Sequence, residues 1–163
     1  MLTGYIEGYY GSLLDWNQRL RILESLSALN LNSYFYCPKE DVNHRFKWKE
    51  QYSLNWLKNF TKFNKYALKK NIKVIAGISP GLDFNFKSYV DGNKEEIYLL
   101  IKKIESFFSC GVTHVSILFD DIPNEFKFLV KSEPEGVVHA RIINEVVKEI
   151  SKPIFAVPRI YSD

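Results

Sequence analysis

Two adjacent carboxylates, Asp120 and Asp121, end an apolar run in the second half of the chain. The run, residues 115–119, is nearly continuous in apolar side chains, which is typical of a strand buried on both faces. Because ligands of α/β proteins bind at the carboxyl ends of strands, we expect chemistry at this pair. Neighbouring like charges also push two pKa values apart and can leave one carboxyl protonated near neutral pH. The alternative is a plain turn, in which Asp side chains bond to the local backbone.

Polar and aromatic residues also follow the other predicted strands. They are Glu7, Gly8 and Tyr9 after the first strand, Lys39 after the second, and Arg159 and Tyr161 after the fifth. In a parallel sheet the carboxyl ends of the strands meet at one edge. The sequence therefore predicts that acids, cations and aromatic rings converge around the carboxylate pair.

The two aspartates could alternatively hold a pair of metal ions. Such a site needs several further His or carboxylate ligands, and the sequence offers only Glu7, His44 and Asp83 as candidates. His114 lies in a predicted strand and His139 on a predicted helix, so both are expected to be structural. The glycine-rich turns match neither a dinucleotide fingerprint nor a P-loop. The sequence therefore predicts no metal and no cofactor.

Five predicted strands alternate with four predicted helices. The strands are expected at 3–7, 33–37, 72–78, 115–119 and 154–157, and the helices at 16–30, 54–70, 93–110 and 135–150. Asp15 and Ser53 are expected to cap the first two helices, and the polar loop at 39–52 suits a binding loop. Each crossover is long enough for a parallel unit, so the fold class is α/β, either an open doubly wound sheet or a (β/α) barrel.

Composition limits the classes of partner. The 163 residues are expected to form one domain over 1–163, and they are 46% hydrophobic and 15% aromatic with a net charge of only +3. No basic block favours nucleic acid or a membrane surface, whereas abundant aromatic rings would suit a sugar ligand. Cys37 and Cys110 are expected to be buried, reduced fillers. No leader or membrane-span pattern is present, which makes the cytoplasm the expected location.

Five motifs occur together in this chain. They are Gly-Tyr-Ile-Glu-Gly-Tyr-Tyr-Gly at 4–11, Asn-Ser-Tyr-Phe-Tyr-Cys-Pro-Lys-Glu-Asp at 32–41, His44-Arg45 followed by Trp48 and Tyr52, Ile-Ser-Pro-Gly-Leu-Asp at 78–83, and Leu-Phe-Asp-Asp-Ile at 118–122. Because the motifs occur in this order and at this spacing, the sequence closely resembles glycoside hydrolase family 84, the β-N-acetylglucosaminidases of the O-GlcNAcase type. The resemblance covers essentially the whole chain.

The resemblance implies a (β/α)8 barrel of the TIM type. A full barrel takes about 250 residues, so the chain is expected to form an incomplete one with about five strands and four helices. An incomplete barrel leaves strand edges exposed, and we expect a homo-oligomer that covers the open edge.

The resemblance also implies a retaining, substrate-assisted reaction on glycans or glycoproteins that contain N-acetylglucosamine. The acetamido oxygen of the sugar attacks the anomeric carbon and forms an oxazoline, in place of the enzyme carboxylate of other retaining glycosidases. By resemblance, Asp120 orients and stabilises the acetamido N–H. Asp121 protonates the leaving oxygen and then deprotonates water.

Four further residues match substrate-binding positions of the family. By resemblance, the backbone of Gly8 and the side chain of Lys39 bind sugar hydroxyls, Tyr161 lines the acetamido pocket, and Tyr9 lies near the site. One segment departs from the family pattern: residues 157–161 read Val-Pro-Arg-Ile-Tyr where the family commonly has Cys-Pro-Thr-Glu-Tyr. The Arg159 side chain therefore changes the expected charge beside the pocket.

Two functional hypotheses follow from these residues. The first is a β-N-acetylglucosaminidase-like glycoside hydrolase, supported by the presence of Lys39, Asp120 and Asp121. The second is a truncated, non-catalytic remnant that binds a carbohydrate or a protein, suggested by the missing later strands. The sequence favours the hydrolase.

Overall fold

A five-stranded parallel sheet organises the computed structural model, which describes residues 1–120, 130 and 133–159. The strands are β1 (Gly4–Glu7), β2 (Ser33–Tyr36), β3 (Lys73–Ile78), β4 (His114–Leu118) and β5 (Phe155–Val157). Their order in the sheet is β1-β2-β3-β4-β5, and every neighbouring pair is parallel. A doubly wound sheet reverses its strand order at a switch point, and the described strands have no such reversal. Strands in sequential order are also the arrangement found in a (β/α) barrel.

Five helices are found in the described ranges. They are α1 (Trp16–Ala28), α2 (Leu54–Lys69), α3 (Phe86–Val90), α4 (Glu95–Ser109) and α5 (Glu135–Ile150). The four helices that the sequence predicts are confirmed as α1, α2, α4 and α5. Helix α3 was expected to be loop, because five residues are too few to show a helical repeat of apolar side chains.

The two predicted helix caps are confirmed. The Asp15 side chain accepts a hydrogen bond from the Gln18 backbone N–H, and the Gln18 side chain accepts one from the Asp15 N–H, both at 2.7 Å. This reciprocal arrangement is a capping box, which satisfies two donors at the start of α1. Ser53 Oγ accepts from the Trp56 N–H at 3.2 Å and caps α2. Each of these two helices begins where a capping side chain accepts a hydrogen bond from the backbone N–H three residues later.

Aromatic side chains fill the space between the sheet and its helices. Tyr34 of β2 packs against Phe63 of α2 at 5.0 Å between ring centroids, and Tyr36 packs against Phe60 at 5.3 Å. All four rings are buried. The high content of Tyr and Phe is thus used in the core, where each ring removes a large apolar area from water.

The opposite face of the sheet is exposed at its outer strands. Side chains alternate between faces along a strand, and Ile6 in β1 and Phe155 in β5 point away from the helix-covered core. Their exposed fractions are 61% and 43%. Gly77 lies on this face in β3, where a Cβ would come within 2.9 Å of Cys37 Cβ. A larger residue at Gly77 would therefore force the backbone of β2 and β3 apart.

Both cysteines are buried and form no disulfide with each other, as predicted. Across the described helices, no segment combines the length and the apolar character that a membrane crossing requires.

The Glu7 carboxylate occupies the core and not the sheet edge where the sequence predicted it. It accepts hydrogen bonds from Arg19 Nη2 at 2.7 Å, from Arg19 Nε at 3.0 Å and from the Tyr34 hydroxyl at 2.6 Å. The prediction failed because the pleat of β1 directs Glu7 towards α1, where a guanidinium matches its two oxygens. The three groups form a closed, buried network.

Replacing Glu7 by Gln is expected to lower the free energy of unfolding by about 3 kcal/mol, because Arg19 would remain as a buried, uncompensated charge. Urea unfolding of the two proteins measures the difference. Glu24→Gln provides the control, since it breaks the exposed pair with Lys70 and should cost less than about 1 kcal/mol. Equal losses for the two variants would contradict the prediction.

Candidate active site

Lys39 and Asp120 meet at the carboxyl edge of the sheet, although 81 positions separate them in the chain. Lys39 Nζ lies 3.3 Å from Asp120 Oδ2, and the Asp120 side chain is 22% exposed. Lys39 follows the end of β2, and Asp120 follows the end of β4. The expected convergence of strand ends therefore holds for this acid and this cation.

The second oxygen of Asp120 has no hydrogen-bond donor among the described residues. Oδ1 is buried and accepts no hydrogen bond from any residue that the structure describes. A buried carboxylate oxygen without a donor is energetically unfavourable. A ligand N–H or O–H that reached this atom would therefore gain a hydrogen bond with little competition from the protein.

A buried carboxylate fixes the turn that carries Lys39. The Asp41 backbone N–H donates to Pro38 O at 3.0 Å, which closes a tight turn around Lys39. The Asp41 side chain accepts from the hydroxyls of Tyr36 at 2.6 Å and Tyr52 at 2.9 Å. Burial, together with this carboxylate, raises the pKa of both phenols well above the ordinary value. Both tyrosines therefore remain donors to Asp41 at neutral pH.

Further contacts attach the rest of the predicted binding loop to β3 and α4. His44 O accepts from the Ser79 N–H at 2.9 Å, and His44 Nδ1 lies 3.0 Å from Gly77 O. Lys103 of α4 donates to Glu50 O, and burial lowers its pKa to about 8. The loop was expected to be a polar binding loop. Its described contacts hold the loop against β3 and α4.

Gly8 and Tyr9 lie at the end of β1. A Cβ at Gly8 would lie 3.3 Å from Cys37 Sγ, so a glycine allows β1 and β2 to approach each other closely here. The Tyr9 hydroxyl accepts a hydrogen bond from the Tyr5 hydroxyl at 2.8 Å, and Tyr9 is 43% exposed. The structure therefore places Gly8 against the strand that leads to Lys39, whereas the Tyr9 hydroxyl is directed to Tyr5.

The three further ligands considered for a metal site, Glu7, His44 and Asp83, each have other partners. Glu7 pairs with Arg19, His44 contacts Gly77, and Asp83 accepts from Trp48 Nε1. Within residues 1–120, 130 and 133–159, no three His, Cys, Asp or Glu side chains are grouped in a way that could hold a metal ion.

Arg159 forms a two-point ion pair with Glu135, the first residue of α5. Its Nε lies 2.6 Å from Oε1, and its Nη2 lies 2.6 Å from Oε2. These hydrogen bonds raise the pKa of Arg159. The sequence predicted that Arg159 would join the other strand ends, but it did not predict Glu135 as a partner. In the sequence, a Glu at the start of a helix indicates a favourable interaction with the helix dipole, but it does not indicate an ion pair with a particular Arg.

His139 lies directly against Phe119, the residue before Asp120. The two rings are parallel, with centroids 4.0 Å apart and an angle of 4° between their planes. Burial is the main cause that lowers the pKa of His139 to about 4. His139 is therefore neutral at pH 7 and packs as an aromatic ring, in agreement with the structural role expected from the sequence.

Two site residues predicted from the sequence, Asp121 and Tyr161, lie outside the described residues.

The comparisons with known proteins decide the family. The family model described as "beta-N-acetylglucosaminidase" matches residues 3–163. The chain belongs to this family. The resemblance to glycoside hydrolase family 84 that the motifs carry is thereby confirmed.

The family has curated and solved members with clear similarity to this chain. Protein O-GlcNAcase of Rattus norvegicus and of Mus musculus are each 32% identical to it over 154 residues, which is 93% of this chain and 16% of each relative. A mutant of the Thermobaculum terrenum O-GlcNAc hydrolase superposes with a TM-score of 0.86 at 30% identity, covering 99% of this chain and 36% of that one. CpGH84B superposes with a TM-score of 0.83 at 32% identity, covering 98% and 27%. The chain thus spans a minor part of each relative.

Protonation of His139 is expected to destabilise the fold in acid. Because its folded pKa of about 4 lies below the ordinary 6.5, the unfolded chain binds the proton first as pH falls. The stability that the neutral ring contributes is present above pH 6.5 and is lost as pH falls towards 4, by about 3 kcal/mol in total.

His139→Phe keeps an aromatic ring against Phe119 but cannot titrate. Urea unfolding at several pH values between 7 and 4 should therefore show a shallower loss of stability for the variant than for the natural chain. The same pH dependence in both proteins would contradict the assigned pKa.

Proposed function

We propose that this chain carries the catalytic carboxylates of a β-N-acetylglucosaminidase that hydrolyses terminal N-acetylglucosamine with retention of configuration. The observation that carries the proposal is the Lys39–Asp120 ion pair at the carboxyl edge of the sheet, in a chain that belongs to this family. The relatives named above are an O-GlcNAcase and an O-GlcNAc hydrolase, which makes a glycan or glycoprotein that contains N-acetylglucosamine the proposed substrate. No cofactor takes part in the proposed reaction.

The environment of Asp120 suits the proposed first step. The acetamido oxygen of the substrate attacks the anomeric carbon while the bond to the leaving oxygen breaks, and positive charge develops on the acetamido group. Its N–H becomes a stronger donor, and the buried Asp120 Oδ1 can accept it. Lys39 Nζ compensates the charge of the carboxylate through the other oxygen. Such a preorganised acceptor stabilises charge that is present mainly in the transition state.

Asp121 is proposed as the general acid and base, on the family resemblance. As the acid it transfers its proton to the leaving oxygen. As the base it then removes a proton from the water that opens the oxazoline, which returns Asp121 to its starting form and releases N-acetylglucosamine. Proton transfer of this kind contributes about 10²–10⁴-fold to the rate.

The substrate-binding roles also rest on the resemblance. Gly8 through its backbone and Lys39 through its ammonium group are proposed to bind sugar hydroxyls. Tyr161 is proposed to line the acetamido pocket, and Tyr9 to lie beside the site. The close approach of Gly8 to Cys37 supports the first of these roles, because it keeps the Gly8 backbone near the strand that leads to Lys39.

The five strands are proposed as part of a (β/α)8 barrel, on the strand order and on the solved relatives, of which this chain covers 36% and 27%. Taken by itself, the chain is proposed to self-associate through the sheet face and strand edges that expose Ile6 and Phe155. Light scattering at high protein concentration should then show an oligomer. A compact monomer would reject self-association.

The first test is hydrolysis of a chromogenic aryl β-N-acetylglucosaminide by the chain. Asp120→Asn and Asp121→Ala are each expected to lower kcat by at least about 10²-fold, because each removes a group that acts in the transition state. Asp91→Asn is the matched control, since Asp91 is an exposed acid at the end of α3. Its kcat should equal that of the natural chain.

Absence of turnover by the folded natural chain would reject catalysis by this chain alone. Calorimetric titration with N-acetylglucosamine would then test the alternative of a non-catalytic, carbohydrate-binding remnant. Activity that survives in Asp121→Ala would reject the assigned acid.

Lys39→Met is expected to raise KM and to lower kcat, each by about tenfold, because it removes both a hydroxyl contact and the charge partner of Asp120. Steady-state kinetics on the same aryl glycoside measure the two constants. Lys87→Met, at an exposed lysine of α3, should change neither of them. A variant of Lys39 with natural kinetics would remove Lys39 from the site.

A further inference from the structure

The backbone just before Asp120 is held by two elements that lie far from it in sequence. The Phe119 N–H donates to Val157 O of β5 at 2.9 Å, which extends the sheet by one residue beyond β4. The Phe119 side chain is 1% exposed and stacks on His139 of α5. The direction in which Asp120 leaves the sheet therefore depends on how β5 and α5 are fixed relative to each other.

An ion pair joins the same two elements. Arg159 lies two residues after Val157, and Glu135 lies one helical turn before His139. The guanidinium binds both oxygens of Glu135 at 2.6 Å, and the two side chains are each 17% exposed. Glu135 Oε1 also lies 4.0 Å from His139 Nε2. Arg159 is thus bonded to the turn of α5 that carries His139, whose ring stacks on Phe119.

We propose that Arg159 and Glu135 are positioning residues, which lock the end of β5 to the start of α5 and thereby set the direction of Asp120 towards Lys39 and the substrate. We name this pair the β5–α5 latch. The inference rests on the proposed function for the catalytic part of its test, because that part needs Asp120 to contact the acetamido group.

The geometry of the latch gives it more effect than an ordinary surface ion pair. An Arg fork on a carboxylate fixes distance and orientation together, and it does so here with both partners mostly buried. Loss of either partner removes this two-point contact between β5 and α5. A shift of the Phe119 backbone then moves the Asp120 carboxylate, and misplacement by about 1 Å at a reacting group can cost about 10²-fold in rate.

Glu135→Gln and Arg159→Met test the latch in the full chain. Each is expected to lower kcat on the aryl β-N-acetylglucosaminide by about tenfold and to leave KM within about twofold, because Asp120 acts mainly in the transition state. Glu145→Gln is the matched control. It breaks the pair between Glu145 of α5 and Lys94 at the start of α4, which has the same length of 2.6 Å, and Glu145 lies far along the helix from Glu135. Its kcat should be unchanged.

The charge-swapped double variant, Arg159→Glu with Glu135→Arg, provides a rescue. It restores an ion pair between the same two positions, so kcat should recover to within about threefold of the natural chain, in contrast with the single variants. Thermal unfolding of every variant identifies any that is not folded. If Glu135→Gln does not fold, Arg159→Lys replaces it, because Lys keeps the charge but cannot bind both oxygens in the same way.

Amide hydrogen exchange provides a readout that does not depend on activity. The Phe119 N–H should exchange at least about tenfold faster in Glu135→Gln and Arg159→Met, and at the natural rate in Glu145→Gln, because only the first two release β5 from α5. If the natural chain shows no hydrolysis, catalysis by this chain alone is rejected, while exchange at Phe119 still decides whether the latch positions this segment.

Two results would overturn the latch. One is natural exchange at Phe119 in both single variants. The other is a fall in kcat in a single variant whose Phe119 N–H exchanges at the natural rate, because the substitution would then lower kcat through a different part of the structure.

Discussion

Parallel pairing of five consecutive strands is the constraint on which the candidate active site depends. Because each strand runs in the same direction and each crossover returns the chain to the same end, all strands finish at one edge. Lys39 and Asp120 can form an ion pair at 3.3 Å only because β2 and β4 end at that edge with β3 between them. The same constraint brings Gly8 beside Cys37.

Buried polar groups hold the edge in place. Glu7 is matched by Arg19 and Tyr34, and Asp41 is matched by two tyrosine hydroxyls. In a core of low polarity each of these contacts is stronger than in water, and each is costly to break. The loop that carries Lys39 is therefore held in position by buried hydrogen bonds. Such support makes a binding geometry reproducible without help from the ligand.

Membership of the β-N-acetylglucosaminidase family links the five-stranded sheet to the proposed hydrolysis. The chain superposes on solved relatives over nearly its whole length, while it spans about a third of theirs. Lys39 and Asp120, two residues of the family pattern, meet at the carboxyl edge of the sheet. Arg159, which departs from that pattern, pairs with Glu135 at the start of α5.

Sequence alone determined the features that arise from residues close together in the chain. Apolar periodicity and the caps at Asp15 and Ser53 define helices, because these interactions act within three or four positions. The family motifs likewise predicted Lys39 and Asp120 as site residues. Only the tertiary structure decided where side chains at strand ends point. Glu7 turns inward to Arg19, and Arg159 turns to Glu135, since the pleat of a strand and a partner on a packed helix set those directions.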